Sequence, residues 1–146
     1  SRTYHYFINQ RKDPFAQETS WYLNRPLDVD QMNAACAVLF DYTDFTSFSK
    51  LHTDVKTNNC KIYEASWTHE GHQLVFTIKA DRFLRNMVRA IVGTLVEVGR
   101  GKLTIAEVRQ IIEAKDRGLA GASAPAEGLF LADISYPEDI FQRMEV

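Results

Sequence analysis

The sequence offers few of the features that would place it at a glance. Its two cysteines, Cys36 and Cys60, lie far apart with no Cys-x-x-Cys partner, a pattern that favours buried, reduced thiols of a cytoplasmic protein over a disulfide. Charge of either sign is not in excess: 17 basic against 19 acidic side chains leave a formal charge of −2. The chain as a whole is therefore not drawn to nucleic acid, and any such contact must come from a local patch. No apolar run approaches the length of a membrane span, and the opening Ser1-Arg2-Thr3-Tyr4-His5-Tyr6 does not have the form of a signal peptide. Repeats, low-complexity tracts and long linkers are missing too. What remains is a chain of 146 residues, 45% of them apolar, enough for one core and most simply a single domain. Because Thr3 to Ile8 reads as a strand straight after a non-Met first residue, we expect a fragment of a longer protein.

Local patterns supply the elements. Thr3-Tyr4-His5-Tyr6-Phe7-Ile8 is aromatic and β-branched and reads as a strand, and Asn9 to Ser20, with Pro14, reads as an irregular loop. Asp28 and Gln31 have the spacing of a capping box opening a helix, with Met32, Ala35, Cys36, Val38, Leu39 and Phe40 on its apolar side. Asp44 to Phe48 is a compact aromatic turn, and Lys50 to Asn59 a polar, mobile loop. Cys60 to Trp67 and Gln73 to Ala80 alternate as two strands around a turn at His69-Glu70-Gly71-His72. Thr104 and Glu107 form a second capping box before Ile105, Val108, Ile111 and Ile112. Gly118 to Glu127 is a loop of small residues, and Gly128 to Tyr136 is a last strand stopped by Pro137. The order predicts an α+β domain of ferredoxin-like β-α-β-β-α-β pattern. Its antiparallel sheet carries helices on one face, with one extra helix before the last strand.

The stretch from Ala80 to Gly99 organises the rest. Phe83, Met87, Ile91, Leu95 and Val98 recur at helical spacing, Asp81 fits an N-cap, and Gly99 fits a C-cap. Arg82, Arg85 and Arg89, three and four apart, then share a second face in the first half of the helix. Cations there oppose the helix dipole. The row is either a solvated face with local ion pairs or a seat for an anion such as RNA phosphate.

Two tempting motifs fail on spacing. His69-Glu70-Gly71-His72 is one residue short of the zinc-binding His-Glu-x-x-His and lies on a hairpin, not a helix; Gly99-Arg100-Gly101-Lys102 lacks the spacing of a phosphate loop and follows a helix. The four histidines form no legible nucleophilic triad. Two positions survive. Tyr4, on the same sheet face as Tyr6, could stack on an unstacked base or simply be core. Arg89, one turn before Gly93, could hold a carboxylate with both terminal nitrogens or simply be exposed.

Several stretches together resemble the C-terminal half of the bacterial tRNA pseudouridine synthase A family. They are Arg2-Thr3-Tyr4-His5-Tyr6, Asp44-Phe45-Thr46-Ser47-Phe48, and Phe83-Leu84-Arg85-Asn86-Met87-Val88-Arg89 running on to Ile91-Val92-Gly93-Thr94-Leu95. Ala114-Lys115-Asp116-Arg117 and Ala124-Pro125-Ala126-Glu127-Gly128-Leu129-Phe130-Leu131 follow. The resemblance implies an isomerase that converts uridine to pseudouridine in the tRNA anticodon stem-loop, without cofactor or metal, as a cytoplasmic homodimer. It implies that Tyr4 packs on the target base and that Arg89 pairs with the catalytic aspartate, while Arg82 and Arg85 become candidate RNA-phosphate contacts. The family's aspartate lies in a Gly-Arg-Thr-Asp-x-Gly-Val-His motif of the N-terminal half, which this sequence does not contain. Asp41, Asp44, Asp81 and Asp116 are not in that setting. The chain by itself is thus expected to be silent, with the N-terminal half as its partner in the site. The rival readings are a non-catalytic RNA-binding ferredoxin-like module and a structural or dimerisation domain.

Overall fold

A computed structural model describes residues 1–16, 19–50 and 57–135. The middle of the polar loop expected over Lys50 to Asn59, and Tyr136 and Pro137 at the expected end of the last strand, lie outside the described residues.

Strand β1 (Arg2–Asn9) is the spine of a five-stranded sheet. Its alternation sends Tyr6 and Ile8 fully into the core, while His5 and Phe7 meet edge-on across the opposite face. A short β2 (Trp21–Tyr22) runs parallel to it beside Ile8 and Asn9, just past the stretch expected as loop and before the first helix. Two residues carry no periodicity, so this strand exists only because β1 offers it an edge. Strands β3 (Ile62–Glu70) and β4 (Gln73–Ala80) form the expected hairpin, closed by Gly71 and His72, with Gly71 at φ 63°. Strand β4 pairs antiparallel along the whole of β1, and β5 (Leu129–Ile134) takes the other edge of β1, opposite Arg2 to Tyr6.

Helix α1 (Val29–Val38) starts where Asp28 accepts a hydrogen bond from the Gln31 amide at 3.1 Å, and it buries Met32, Ala35, Cys36 and Val38. Phe40, expected on its apolar side, instead falls in a 3-10 turn over Leu39–Asp41 and is 49% exposed. Helix α3 (Ile105–Ala114) carries both arms of the predicted capping box, each at 3.1 Å, and buries Val108, Ile111 and Ile112. Cys36 and Cys60 are both free and buried. Burial pushes their thiols up, to about 12 and about 11.

Helix α2 (Met87–Gly99) corrects the sequence reading in three respects. It begins later than expected, after Asn86 turns the chain at φ 69°. Asp81 is not its cap: the Asp81 carboxylate accepts from the Lys61 amide at 2.8 Å, and its own amide donates to the Lys61 carbonyl at 3.1 Å. Gly99 is a buried helical residue, and the left-handed residue that reverses the chain is Gly101 at φ 78°. The helix is also enclosed. Every residue from Met87 to Gly99 is buried except Arg89 and Glu97, the composition of a helix covered on all sides. Among the described residues no helix is long and apolar enough to cross a membrane. Among the described residues the architecture is mixed α+β, a five-stranded sheet with three α-helices.

Candidate active site

Because α2 is enclosed, its one arginine has little freedom. Arg89 is half-buried, and its Nε donates to the Ala124 carbonyl at 2.7 Å. The Ala124 amide returns a hydrogen bond to the Arg89 carbonyl at 2.9 Å. The ion pairs found among the described residues are Arg100–Glu97, Arg109–Asp41 and Lys115–Asp44; Arg89 joins none of them. A partly desolvated guanidinium held by a neutral carbonyl is a site that an anion stabilises.

Arg89 opens into a pocket of about 260 Å³ whose walls include Arg2, Tyr4, Phe83, Arg85 and Leu129. Tyr4 is half-buried, and its ring meets Phe83 edge-on at 5.1 Å and 88°. Tyr6, its neighbour on the same face, is fully buried and donates its hydroxyl to the Pro125 carbonyl at 2.6 Å. Burial raises the Tyr6 phenol well above its ordinary range, opposed in part by the nearby Arg89 charge. The two tyrosines therefore part company: Tyr6 is core, and Tyr4 lines the pocket.

The arginine row expected on one helix face does not exist as such, since Arg82 and Arg85 precede α2. Arg82 directs Nη1 at the carbonyls of Thr57 and Asn59, at 2.8 and 3.3 Å. Arg85 is exposed at the pocket rim. Among the described residues no group of three His, Cys, Asp or Glu side chains is placed to hold a metal ion, and His69 sits on β3 with His72 in the turn.

The wall behind Arg89 is the 117–128 segment, and its fit depends on two glycines. A side chain at Gly93 would put its Cβ 1.9 Å from the Ala122 carbonyl oxygen, and one at Gly128 would come within 2.7 Å of the Tyr6 ring. Sequence reasoning missed two further participants, Asn86 and Ser123. The Asn86 amide donates to Ser123 Oγ at 2.7 Å, and Arg117 Nη2 donates to the same oxygen at 2.8 Å. The local signal for Asn86 was its residue type, one of the few tolerated at positive φ, but the apolar run around it masked the break.

Comparison with known proteins supplies a family. A family model described as tRNA pseudouridine synthase matches residues 35–137. The chain belongs to the tRNA pseudouridine synthase family. That match contains Arg82, Arg85 and Arg89 together with the 117–128 segment, while Tyr4 precedes it. Among curated relatives, tRNA pseudouridine synthase A of Parabacteroides distasonis is 65% identical over 141 residues, covering 97% of this chain and 56% of the relative. The protein of the same name from Bacteroides fragilis is 58% identical over 143 residues, and that from Exiguobacterium sibiricum is 36% identical over 137. Across these synthases the chain spans a little over half the relatives' length.

Proposed function

We propose that this chain is the C-terminal subdomain of a tRNA pseudouridine synthase and contributes one wall of its active site. Tyr4 packs against the target uracil, and Arg89 holds the nucleophilic aspartate, which is supplied by the N-terminal half from a Gly-Arg-Thr-Asp motif. The observation that carries this reading is Arg89: a half-buried guanidinium tied through Nε to a backbone carbonyl, with no carboxylate paired to it among the described residues.

The chemistry fits those parts. Pseudouridine formation exchanges a glycosidic bond to nitrogen for one to carbon on the same ring, so the base must be detached, turned and reattached without loss. A uracil extruded from the tRNA forfeits its stacking, and a ring beside it returns on the order of 1–3 kcal/mol. A carboxylate nucleophile must stay ionised in a dry pocket, and an arginine beside it lowers its pKa and fixes its direction. Arg85 at the rim, and with it Arg82, contacts backbone phosphate of the anticodon stem-loop. Read this way, the sheet is a split β-α-β-β-α-β unit of ferredoxin-like order with β2 as an addition. The enzyme works in the cytoplasm as a homodimer.

The test compares the longer protein with residues 1–146 alone on unmodified tRNA. Pseudouridine is expected from the first and none from the second. Turnover by residues 1–146 alone contradicts the assignment of the nucleophile to the other half.

A further inference from the structure

Resting on the reading of Arg89 just given, we propose that Ser123 is a positioning residue for the reaction, acting through the Ala124 carbonyl on the Arg89 guanidinium. Ser123 Oγ receives two donors, Asn86 Nδ2 at 2.7 Å and Arg117 Nη2 at 2.8 Å. A hydroxyl oxygen has two acceptor sites, so both are filled. One donor belongs to the residue that starts α2, held at φ 69°, and the other to the far end of the loop, where Arg117 also reaches the Gly121 carbonyl. The hydroxyl thus fastens the loop to the helix one residue before Ala124, whose carbonyl fixes Arg89 Nε at 2.7 Å. On the other side of Ala124, the Pro125 carbonyl is fixed by the Tyr6 hydroxyl. The carbonyl that aims the arginine is held from both flanks, and Ser123 is the flank that faces the pocket-lining Asn86.

Nothing in this arrangement needs Ser123 to touch substrate. Its effect is geometric. Loss of the hydroxyl leaves Ala124 held by its own amide and by the Tyr6–Pro125 bond but frees the Ser123 flank, which lets the Ala124 carbonyl shift and widens the range of guanidinium orientations. Small misplacements of a group that must meet a reacting partner are costly in rate.

The experiment uses the full-length protein with unmodified tRNA and measures kcat, KM and Tm for Ser123→Ala and Ser123→Thr, each alone and combined with Arg89→Lys. Ser123→Ala should lower kcat about tenfold with KM within about twofold, and Ser123→Thr, which keeps the hydroxyl, should restore it. In the Arg89→Lys background, which has lost the Nε contact, Ser123→Ala should cost less than about twofold. An equal loss in both backgrounds, an equal loss from the Thr variant, or no loss at all overturns the relay. If Arg89→Lys itself leaves kcat unchanged, the reading of Arg89 falls and the relay with it. If Arg89→Lys is impaired and Ser123→Ala is not, the relay alone falls.

Discussion

Arg89 and Ala124 are joined by two hydrogen bonds that run in opposite directions. The arginine Nε donates to the Ala124 carbonyl at 2.7 Å and the Ala124 amide donates to the Arg89 carbonyl at 2.9 Å. A side chain and its own backbone are thereby fixed to one residue of a loop 35 positions away in sequence. The consequence is that the guanidinium cannot swing to solvent without breaking its bond to the loop, on the border of the pocket shared with Tyr4.

That coupling predicts the effect of filling the space between loop and helix. Gly93→Ala places a methyl group 1.9 Å from the Ala122 carbonyl oxygen, a backbone atom that cannot rotate away. The loop must lift, with an expected loss of about 1–3 kcal/mol in chemical unfolding and a larger fall in kcat than in tRNA affinity for the full-length protein. Native stability and native kcat in this variant would show that the close approach is not needed.

Alkaline pH should weaken the fold. Burial raises the thiols of Cys36 to about 12 and Cys60 to about 11 from an ordinary 9.0, and raises the Tyr6 phenol above its ordinary 10.0. Groups with raised folded pKa values contribute stability that is complete below their unfolded values. That stability is lost as pH climbs, because the unfolded chain releases protons that the native state retains. Unfolding free energy should be insensitive to these groups well below pH 9 and fall from about pH 9 up to about pH 12. Combining Cys36→Ala with Cys60→Ala should flatten the decline between pH 9 and 10. A decline equally steep in that variant counts against burial as its cause.

The two arginines before α2 should behave differently. Arg85 is exposed at the pocket rim. If it meets phosphate, Arg85→Ala lowers the slope of log affinity against log salt by about one, with kcat at saturating tRNA unchanged. Arg82 holds the carbonyls of Thr57 and Asn59. Arg82→Ala should therefore also cost roughly 0.5–1.5 kcal/mol of stability. Identical behaviour of the two variants in unfolding and salt titration would contradict the distinction.

How much of this was legible beforehand follows from the range of the forces involved. Caps and turns depend on near neighbours, so the Asp28 cap (though not a reciprocal Gln31 arm), the Thr104–Glu107 box, and the Gly71-His72 hairpin could be read directly. The start of α2 could not. Phe83 and Asp81 continue a helical pattern, and only contacts with distant residues take them out of the helix: Asp81 with Lys61, Phe83 with Tyr4. The same holds for the site. Tyr4 and Arg89 could be named from residue type and resemblance, but their meeting in one pocket, the separation of Arg82 and Arg85 from the helix, and the part of Ser123 all depend on how a loop folds back over Gly93.

The central claim is that Arg89 serves the chemistry by holding a carboxylate rather than by holding RNA, and one variant tests it. In the full-length protein, Arg89→Ala should reduce pseudouridine formation by at least about a hundredfold while the Kd for tRNA changes by less than about threefold. A loss of affinity in proportion to the loss of activity would make Arg89 a phosphate contact and contradict the account.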